Sequence, residues 1–472
     1  MSNRVRPPGP KGSRISGCAR EIGADRVGFL VELQRTYGDV VCFRVWDRTL
    51  YLVSDPELIK DVLVTNHKNF TKSRALQLAK FVFGEGLLTN EGDSHRRQRR
   101  MMQPAFHMQR IHGYGETMIR YAHRHAHAWE QGEFDGRSVD IAQEMMRLTM
   151  AIVAKTLFDF DVESEADEIS DALSSVVGLF QRTVHPAAVL LTILPTPRNM
   201  RFMRAKKRID ETIYRMIAER RASGKDHGDL LSMLLSAQDE DDGSGMTDQQ
   251  IHDEAITLFL AGHETTANAL TWTWYALSQN PDVEARFHAE LDEVLGSEPP
   301  TPQDLPKLEY TRRVFAESMR LFPPAYLIGR MAINEFELGG YTLPAGSVLL
   351  LSPYVCQRNP ALFPDPERFD PDRFAPELQR ERHKFSYFPF GGGPRTCIGE
   401  SFAWMEGVLL LAALGQRWRM DLPLGRTVGY DPQITLRPKN GLPMTLQRRV
   451  TPRYSYRDEQ LHRATTSAIQ NV

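Results

Sequence analysis

Cys397 lies in a glycine-rich run whose residue types suit a thiolate metal ligand. The run reads Phe-Gly-Gly-Gly-Pro-Arg-Thr-Cys-Ile-Gly over residues 390–399. A cysteine binds metal as a thiolate, and the free N–H groups of a helix N-terminus favour that negative charge. Apolar residues recur at helical spacing after Cys397. The pattern predicts a helix from Ile398 to Trp418, with the sulfur at its positive end.

The other residues of this run suit a flat, carboxylate-bearing macrocycle. Glycines at 391, 392, 393 and 399 permit a tight loop and a close approach of backbone to a planar ring. Arg395 can donate a charge-assisted hydrogen bond to a haem propionate. Thiolate ligation of haem pushes electron density towards the iron and favours O–O cleavage. The alternative interpretation of Cys397 is a buried free cysteine beside a glycine turn.

The run resembles the haem-binding signature of the cytochromes P450, Phe-x-x-Gly-x-Arg-x-Cys-x-Gly, at every fixed position. The resemblance implies a mainly α fold with small β-sheets (α+β), a long central distal helix and a proximal loop that carries the cysteine. It also implies haem b as cofactor, with no bound flavin, and Cys397 as the iron ligand. The implied haem-contacting residues of the loop are Phe390, Gly391, Arg395, Cys397 and Gly399.

A second motif lies in the predicted distal helix. Thr247 and Gln250 form a capping box, which predicts that a helix begins there and continues to about Asn280. Within it, residues 261–266 read Ala-Gly-His-Glu-Thr-Thr and resemble the family motif Ala-Gly-x-(Asp/Glu)-Thr-Thr. The small residues Ala261 and Gly262 keep one helix face thin, so that oxygen and substrate can approach.

The resemblance gives the polar residues of this motif a role in proton delivery. It implies that Thr265 hydrogen-bonds dioxygen or an ordered water, and that Glu264 feeds protons inward. The alternative for Thr265 is a hydroxyl that bonds back to a helical carbonyl. His263 lies off the Ala261/Thr265 line, and we expect it to be neither a ligand nor catalytic.

Further basic residues match positions that the family uses around haem. His95 and Arg99 are one helical turn apart, so both can point at the same anion. The resemblance implies that they bind a haem propionate together with Arg330. Among the neighbouring arginines, Arg97 is expected on a solvated helix face. Arg96 and Arg100 fit either a docking surface for an acidic ferredoxin or flavodoxin, or non-specific surface charge.

A Glu-x-x-Arg pair suggests a structural ion-pair cluster. Glu317 and Arg320 are three residues apart on one predicted helix face, close enough to pair. The resemblance implies that Arg368, in a Pro-Glu-Arg-Phe segment, completes a buried Glu–Arg–Arg cluster that holds the proximal side in shape.

Composition limits the other functions of the chain. The 472 residues carry a formal net charge of −2, which gives no indication of nucleic-acid binding. Four scattered cysteines fit the reducing cytoplasm better than a secreted disulfide framework. We expect a flexible Pro/Gly-rich segment over 1–28 without a membrane anchor, one catalytic domain over 29–453 and a polar tail over 454–472.

Local patterns predict the remaining elements. Alternating apolar residues predict a β-hairpin over Tyr37–Val53, followed by a helix from Pro56 through Leu63. Residues 94–330 are predicted to be almost entirely helical, with strands at Phe336–Leu343, at Ser347–Leu351 and after Ile434. The acidic stretch Asp239–Asp242 is predicted to be a solvated loop.

The resemblance implies a monooxygenase that inserts one oxygen atom from O2 into a substrate, with electrons from a separate ferredoxin or flavodoxin-type donor. The segments that line the family's pocket are apolar here, which favours a fatty acid, terpenoid or steroid. A peroxide-using or isomerising haem-thiolate enzyme and a non-enzymatic haem sensor are the alternatives, and both are disfavoured by the Glu264–Thr265 pair. The candidate pocket residues are Phe81, Phe83, Phe180, Ala261, Thr265, Ala325, Tyr326, Leu327 and Leu442.

Overall fold

The computed structural model describes residues 6–160 and 196–449, and helices dominate both stretches. The first stretch holds helices α1 (Ala19–Ala24), α2 (Arg26–Tyr37), α3 (Pro56–Lys60), α4 (Arg74–Leu78), α5 (Lys80–Phe83), α6 (Gly92–Met102), α7 (Met108–Gln131) and α8 (Ile141–Phe158). The second holds α9 (Pro197–Ser223), α10 (Leu230–Ser236), α11 (Asp248–Gln279), α12 (Pro281–Val294), α13 (Glu309–Leu321), α14 (Pro353–Cys356), α15 (Pro376–Glu381) and α16 (Glu400–Gly415). The predicted fold class, mainly α with small sheets, is confirmed.

The strands form small sheets at the edge of the helical body. They are β1 (Val40–Val45), β2 (Arg48–Val53), β3 (Phe70–Lys72), β4 (Ser138–Asp140), β5 (Ile328–Ala332), β6 (Phe336–Leu338), β7 (Tyr341–Leu343), β8 (Val348–Leu351), β9 (Trp418–Asp421), β10 (Tyr430–Pro432), β11 (Leu436–Pro438) and β12 (Pro443–Arg448). The largest sheet has the order β1-β2-β8-β5-β3, and a three-stranded sheet has the order β4-β12-β9. Two further pairs, β10-β11 and β6-β7, are antiparallel.

The predicted hairpin is present as β1 and β2. These strands pair antiparallel, with Val40 opposite Val53 and Val45 opposite Arg48. Asp55 then caps α3 by accepting a hydrogen bond from the Leu58 backbone N–H. The α-helix ends at Lys60, earlier than predicted, because residues 61–65 continue as a π-helical turn.

Helix α11 is the central element of the molecule. The predicted capping box is present: Gln250 N–H donates to the Thr247 hydroxyl, and the Gln250 side chain accepts from the Thr247 N–H. Most of the helix is buried, and it packs against α8, α13 and α16. Because nearly every face contacts protein, most of its side chains are apolar or small.

Helix α16 follows the cysteine-containing loop and is shorter than predicted. It runs from Glu400 to Gly415 and is buried on all sides along its second half. The predicted end at Trp418 was wrong, because Trp418 begins β9 and pairs with Arg448 of β12. This partner is remote in the chain, so the local apolar pattern does not show where the helix ends.

The described part of the N-terminal segment is packed against the hairpin, contrary to the flexibility predicted for 1–28. The Cys42 N–H donates to the Pro8 carbonyl at 2.8 Å, and Cys18 is buried. Gly9 permits this approach, since a Cβ there would lie 1.9 Å from the Cys42 carbonyl oxygen. The predicted tail, 454–472, lies outside the described residues. Within the described ranges, every helix is too short or too polar to cross a bilayer.

Candidate active site

The structure places Cys397 between a short 3-10 turn, Gly393–Arg395, and the start of α16. Its N–H donates to the Phe390 carbonyl at 3.0 Å, and the Gly399 N–H donates to its sulfur. Surrounding protein raises the pKa of the thiol to about 11, whereas the Gly399 N–H and Arg99 lower it. The side chain is nevertheless accessible. It can therefore reach a metal ion, whose charge would stabilise the thiolate.

Two glycines of the loop are required by its backbone. Gly391 and Gly393 have positive φ angles of 74° and 70°. A Cβ on Gly393 would also lie 1.9 Å from the Leu63 carbonyl oxygen. Gly399 is different, because the nearest atom to its Cβ position is a Phe106 ring carbon at 3.9 Å. The side chains around Gly399 therefore leave space beside it for a flat group.

Cationic side chains gather next to this loop. Arg99 donates to the Thr396 carbonyl at 2.7 Å, and Arg395 donates to the Asn90 carbonyl at 3.2 Å and pairs with Glu91. Arg330 is only 8% exposed, and burial together with the charge of Arg395 lowers its pKa to about 10.

His95 is buried within the same group of charges. Burial is the main reason that its pKa falls to about 3, and the charge of Arg395 adds to the effect. His95 is therefore neutral at physiological pH and can donate one hydrogen bond. The structure thus brings together His95, Arg99, Arg330 and Arg395, as predicted from four separate positions in the sequence.

Lys72 is a further cation of this group that the sequence analysis missed. It lies opposite Arg330 in the antiparallel register of β3 and β5. Its Nζ donates to the Leu87 and Asn90 carbonyls at 2.8 and 2.7 Å. Burial, then the charge of Arg395, lowers its pKa to about 7. Its sequence signal, a lysine at the end of a three-residue strand, is too weak to identify it.

The charges fit a ligand that carries carboxylates. Lys72, Arg99, Arg330 and Arg395 converge here, and the acid Glu91 pairs with Arg395. Such an excess of buried positive charge needs anionic partners. Haem carries two propionates, so the donor set beside Cys397 fits haem.

The distal motif lies on α11, and its residue Ala261 is accessible. Ala261 is exposed although most of the helix is buried, and so its side chain is accessible. The Thr265 hydroxyl donates to the Ala261 carbonyl at 2.6 Å, which is the alternative hydrogen bond considered for it. His263 is buried, its Nδ1 lies 2.9 Å from the Phe259 carbonyl, and burial lowers its pKa.

Glu264 is held by an ion pair that the sequence analysis did not predict. Its carboxylate accepts from Arg437 Nε at 2.9 Å and from the Thr435 hydroxyl. Arg437 Nη2 lies 2.6 Å from the same oxygen. These bonds connect α11 to the short strand β11. A role of Glu264 in proton delivery stays a prediction.

The buried Glu–Arg cluster forms with a different second arginine. Glu317 and Arg320 are fully buried and joined by two hydrogen bonds of 2.7 and 2.8 Å. The prediction that Arg368 is the third member was wrong. Its side chain is 70% exposed, and only its backbone carbonyl accepts a hydrogen bond from Arg320. Arg373, in the 3-10 turn Pro371–Phe374, instead approaches Glu317 to 3.5 Å.

Comparison with known proteins decides the family. The model of the family described as Cytochrome P450 matches residues 7–443. The chain belongs to the cytochrome P450 family. The expected enzyme class, a monooxygenase, is confirmed, and such an enzyme acts with haem, O2 and redox partners.

Similar proteins include bacterial P450 enzymes. Cyclooctatin synthase of Streptomyces melanosporofaciens is 45% identical over 430 residues, which cover 90% of this chain and 92% of the relative. Cyclooctat-9-en-7-ol 5-monooxygenase of the same organism is 41% identical over 402 residues, covering 85% and 86%. The crystal structure of the cytochrome P450DA heme domain matches with a TM-score of 0.86 at 26% identity, covering 96% of this chain and all of the other.

The candidate pocket residues of this P450 differ in their accessibility. Ala261 is accessible, and Thr265, Ala325 and Leu327 are half-buried. Phe83, Tyr326 and Leu442 are buried in hydrophobic clusters, and their place in the pocket lining stays a prediction.

The Tyr326 hydroxyl also has a structural role. It donates to the Gln433 carbonyl at 2.9 Å and accepts from Arg26 at 3.0 Å, so the side chain serves to join distant segments. Phe180 lies outside the described residues, as does the side chain of Phe81.

Proposed function

We propose that this P450 hydroxylates a terpenoid, using haem b, O2 and electrons from a separate ferredoxin or flavodoxin-type donor. The observation that carries the substrate class is the similarity to cyclooctat-9-en-7-ol 5-monooxygenase, whose name specifies oxidation of an unsaturated ring alcohol. Of the candidate pocket residues, Ala261 is exposed and Ala325 and Leu327 are half-buried, and these apolar side chains suit such a substrate. We expect no bound flavin.

The haem, when bound, supplies the redox chemistry that activates O2. Cys397 would hold the iron, and His95, Arg99, Arg330 and Arg395 would hold the propionates, with Lys72 adding positive charge. Support comes from the convergence of these groups and from the low exposure of Arg330. A buried charge-assisted hydrogen bond is among the stronger polar contacts in proteins.

Thr265 and Glu264 are proposed to move protons on the distal side. The Thr265 hydroxyl can give up its hydrogen bond to Ala261 and donate to a reacting oxygen or a water. Glu264 is bound by Arg437, so its carboxylate must turn away from that guanidinium to accept or release a proton. Arg437 therefore acts as a positioning residue that holds Glu264 between turnovers.

Cytoplasmic location is part of the proposal. All four cysteines are free thiols, and Cys18, Cys42 and Cys356 are buried. Buried, unpaired thiols suit a reducing compartment.

A substrate panel tests the proposed function. Haem-loaded protein is titrated with cyclic terpenoid alkenes and alcohols, fatty acids and steroids, and the absorbance change that accompanies substrate binding is recorded. Turnover is then measured with a surrogate ferredoxin and its reductase. We expect tight binding and hydroxylated product from a terpenoid. Productive binding of fatty acids or small polar compounds alone would contradict the proposal.

A further inference from the structure

The basic face of α6 is covered by an acidic loop of the same chain. Arg97 Nε donates to Asp239 at 2.8 Å. Arg100 donates to Asp239 at 2.8 Å and to Asp241 at 2.6 Å. Arg97 also lies 3.9 Å from Asp242. The expectation of a solvated Arg97 was therefore wrong, and the acidic stretch is not a free loop.

This loop, which we call the acidic strap (Asp239–Ser244), has a defined fold. The Asp239 N–H donates to the Ser244 carbonyl and the Gly243 N–H to the Asp239 carbonyl, both at 2.9 Å. The Asp239 side chain is 2% exposed, so it belongs to the packed structure. The side chains of Asp241 and Asp242 are 78% and 62% exposed. The strap thus has a fixed base and an exposed, displaceable edge.

The helix that carries the covered face contacts the cysteine-containing loop through another side chain. Arg99, the residue between the strap's partners on α6, donates to the carbonyl of Thr396, which directly precedes Cys397. Arg96 lies on the same helix; its side chain is exposed and contacts Asp93. An electron donor that binds here would come within one helix of the proposed iron ligand.

We propose that the acidic strap competes with an acidic electron-donor protein for Arg100 on α6, and so weakens donor binding. This inference rests on the proposed function, which requires a separate donor. The strap supplies Arg100 with the same carboxylate contacts that an acidic protein surface would offer. A donor must first displace Asp241, and exposed pairs of this kind are individually weak enough to exchange.

The test compares Asp241→Asn with Glu240→Gln in the haem-loaded protein. Glu240 is exposed and adjacent to Asp241, and both substitutions remove one negative charge. The Kd of an acidic [2Fe–2S] ferredoxin is measured by calorimetry at low and high salt. We expect Asp241→Asn to tighten binding about threefold at low salt and Glu240→Gln to leave it nearly unchanged. The gain disappears at high salt.

Arg100→Ala provides the second arm. In the Asp241→Asn background, Arg100→Ala abolishes the gain in ferredoxin affinity. In the wild-type background, Arg100→Ala changes the Kd less, because the strap already neutralises Arg100. Equal effects of Asp241→Asn and Glu240→Gln would overturn the inference, as would ferredoxin binding too weak to detect in every variant. Failure to oxidise terpenoids would contradict the proposed function but would leave a measured strap effect intact.

Discussion

At the residue scale, the charge balance beside Cys397 explains why this P450 needs its cofactor. Arg395 lowers the pKa values of Lys72 and Arg330, Arg330 also lowers that of Lys72, and Glu91 pairs with Arg395. Without further anions these cations repel one another in a poorly solvated region. We expect two haem propionates to offset this repulsion, so that the same residues stabilise the holoprotein.

Substitution of Arg330 tests whether its charge destabilises the apoprotein and stabilises the holoprotein. We expect Arg330→Met to raise the free energy of unfolding of the apoprotein by about 1 kcal/mol, because a buried charge is removed. The same variant should bind haem about tenfold more weakly. Thermal unfolding of the apo and holo forms and haem transfer kinetics measure both effects. Arg96→Met, on an exposed side chain, is the control. A destabilised Arg330→Met apoprotein would contradict this account.

Arg373 and Arg368 form a matched pair for the buried cluster. Arg373→Ala leaves part of the Glu317 charge unpaired and should lower the free energy of unfolding by about 3 kcal/mol. Arg368→Ala should change it by less than about 0.5 kcal/mol, since that side chain is mostly exposed. Denaturant unfolding of the holoprotein distinguishes the two, and equal losses would restore Arg368 to the cluster.

The Thr265 hydroxyl is expected to matter for chemistry and not for haem binding. Thr265→Val should lower the product formed per electron by about tenfold, with release of hydrogen peroxide, because a proton donor is lost. Haem content should stay unchanged. Thr257→Val, on the same helix, is the control, and its buried hydroxyl has no hydrogen-bond partner in the described structure. Unchanged coupling in Thr265→Val would exclude a role in proton delivery.

At the element scale, α11 holds the loop that precedes α6. The backbone N–H groups of Glu85 and Leu87 donate to Asp253 and Glu254 at 2.8 and 2.9 Å. Burial raises the pKa of Glu254 to about 7. Between pH 4.5 and 7 the unfolded chain therefore binds fewer protons than the folded protein, and this group lowers stability as pH rises.

Glu254→Gln removes the loss of stability that ionisation of the buried Glu254 causes at high pH. We expect it to raise the free energy of unfolding by about 2 kcal/mol at pH 8, with the gain shrinking towards zero near pH 4.5. Denaturant unfolding across this pH range gives the curve, with Glu240→Gln as an exposed control. A gain that does not depend on pH would show that Glu254 is ionised in the folded protein.

Elements with local signals were predictable from sequence, and those with remote partners were not. The Thr247 capping box and the β1–β2 hairpin depend on residues a few positions apart, and both are present. The end of α16 is set by the pairing of Trp418 with Arg448. Lys72 joins the site through a strand partner, Arg330, that is remote in sequence. Such pairings leave no trace in local periodicity.

The sequence also does not show which of two nearby residues of the same type makes a given contact. Arg368 and Arg373 are close in sequence, and only the turn Pro371–Phe374 determines which one faces Glu317. The motif residues around Cys397 were found because the loop is contiguous and rich in glycine. Glu264 was singled out because it lies in a contiguous motif, but its partner Arg437 lies on β11 and could not be foreseen.

At the scale of the whole molecule, the site exists only when distant parts of the chain meet. Strand β3 supplies Lys72, helix α6 supplies His95 and Arg99, strand β5 supplies Arg330, and the loop before α16 supplies Arg395 and Cys397. Haem that binds to this assembly, and not to the unfolded chain, stabilises the fold as a whole. We expect the cysteine to determine the chemistry and the cations to retain the cofactor.

The most direct test of the central claim is the absorption spectrum of the reduced, carbon monoxide-bound protein. It is recorded for the wild type, for Cys397→Ala and for a control, Cys356→Ala, which replaces a buried thiol. We expect a strongly red-shifted Soret band in the wild type and in the control, and its loss in Cys397→Ala. A histidine-type spectrum in the wild type, or a red-shifted band that persists in Cys397→Ala, would contradict thiolate ligation by Cys397.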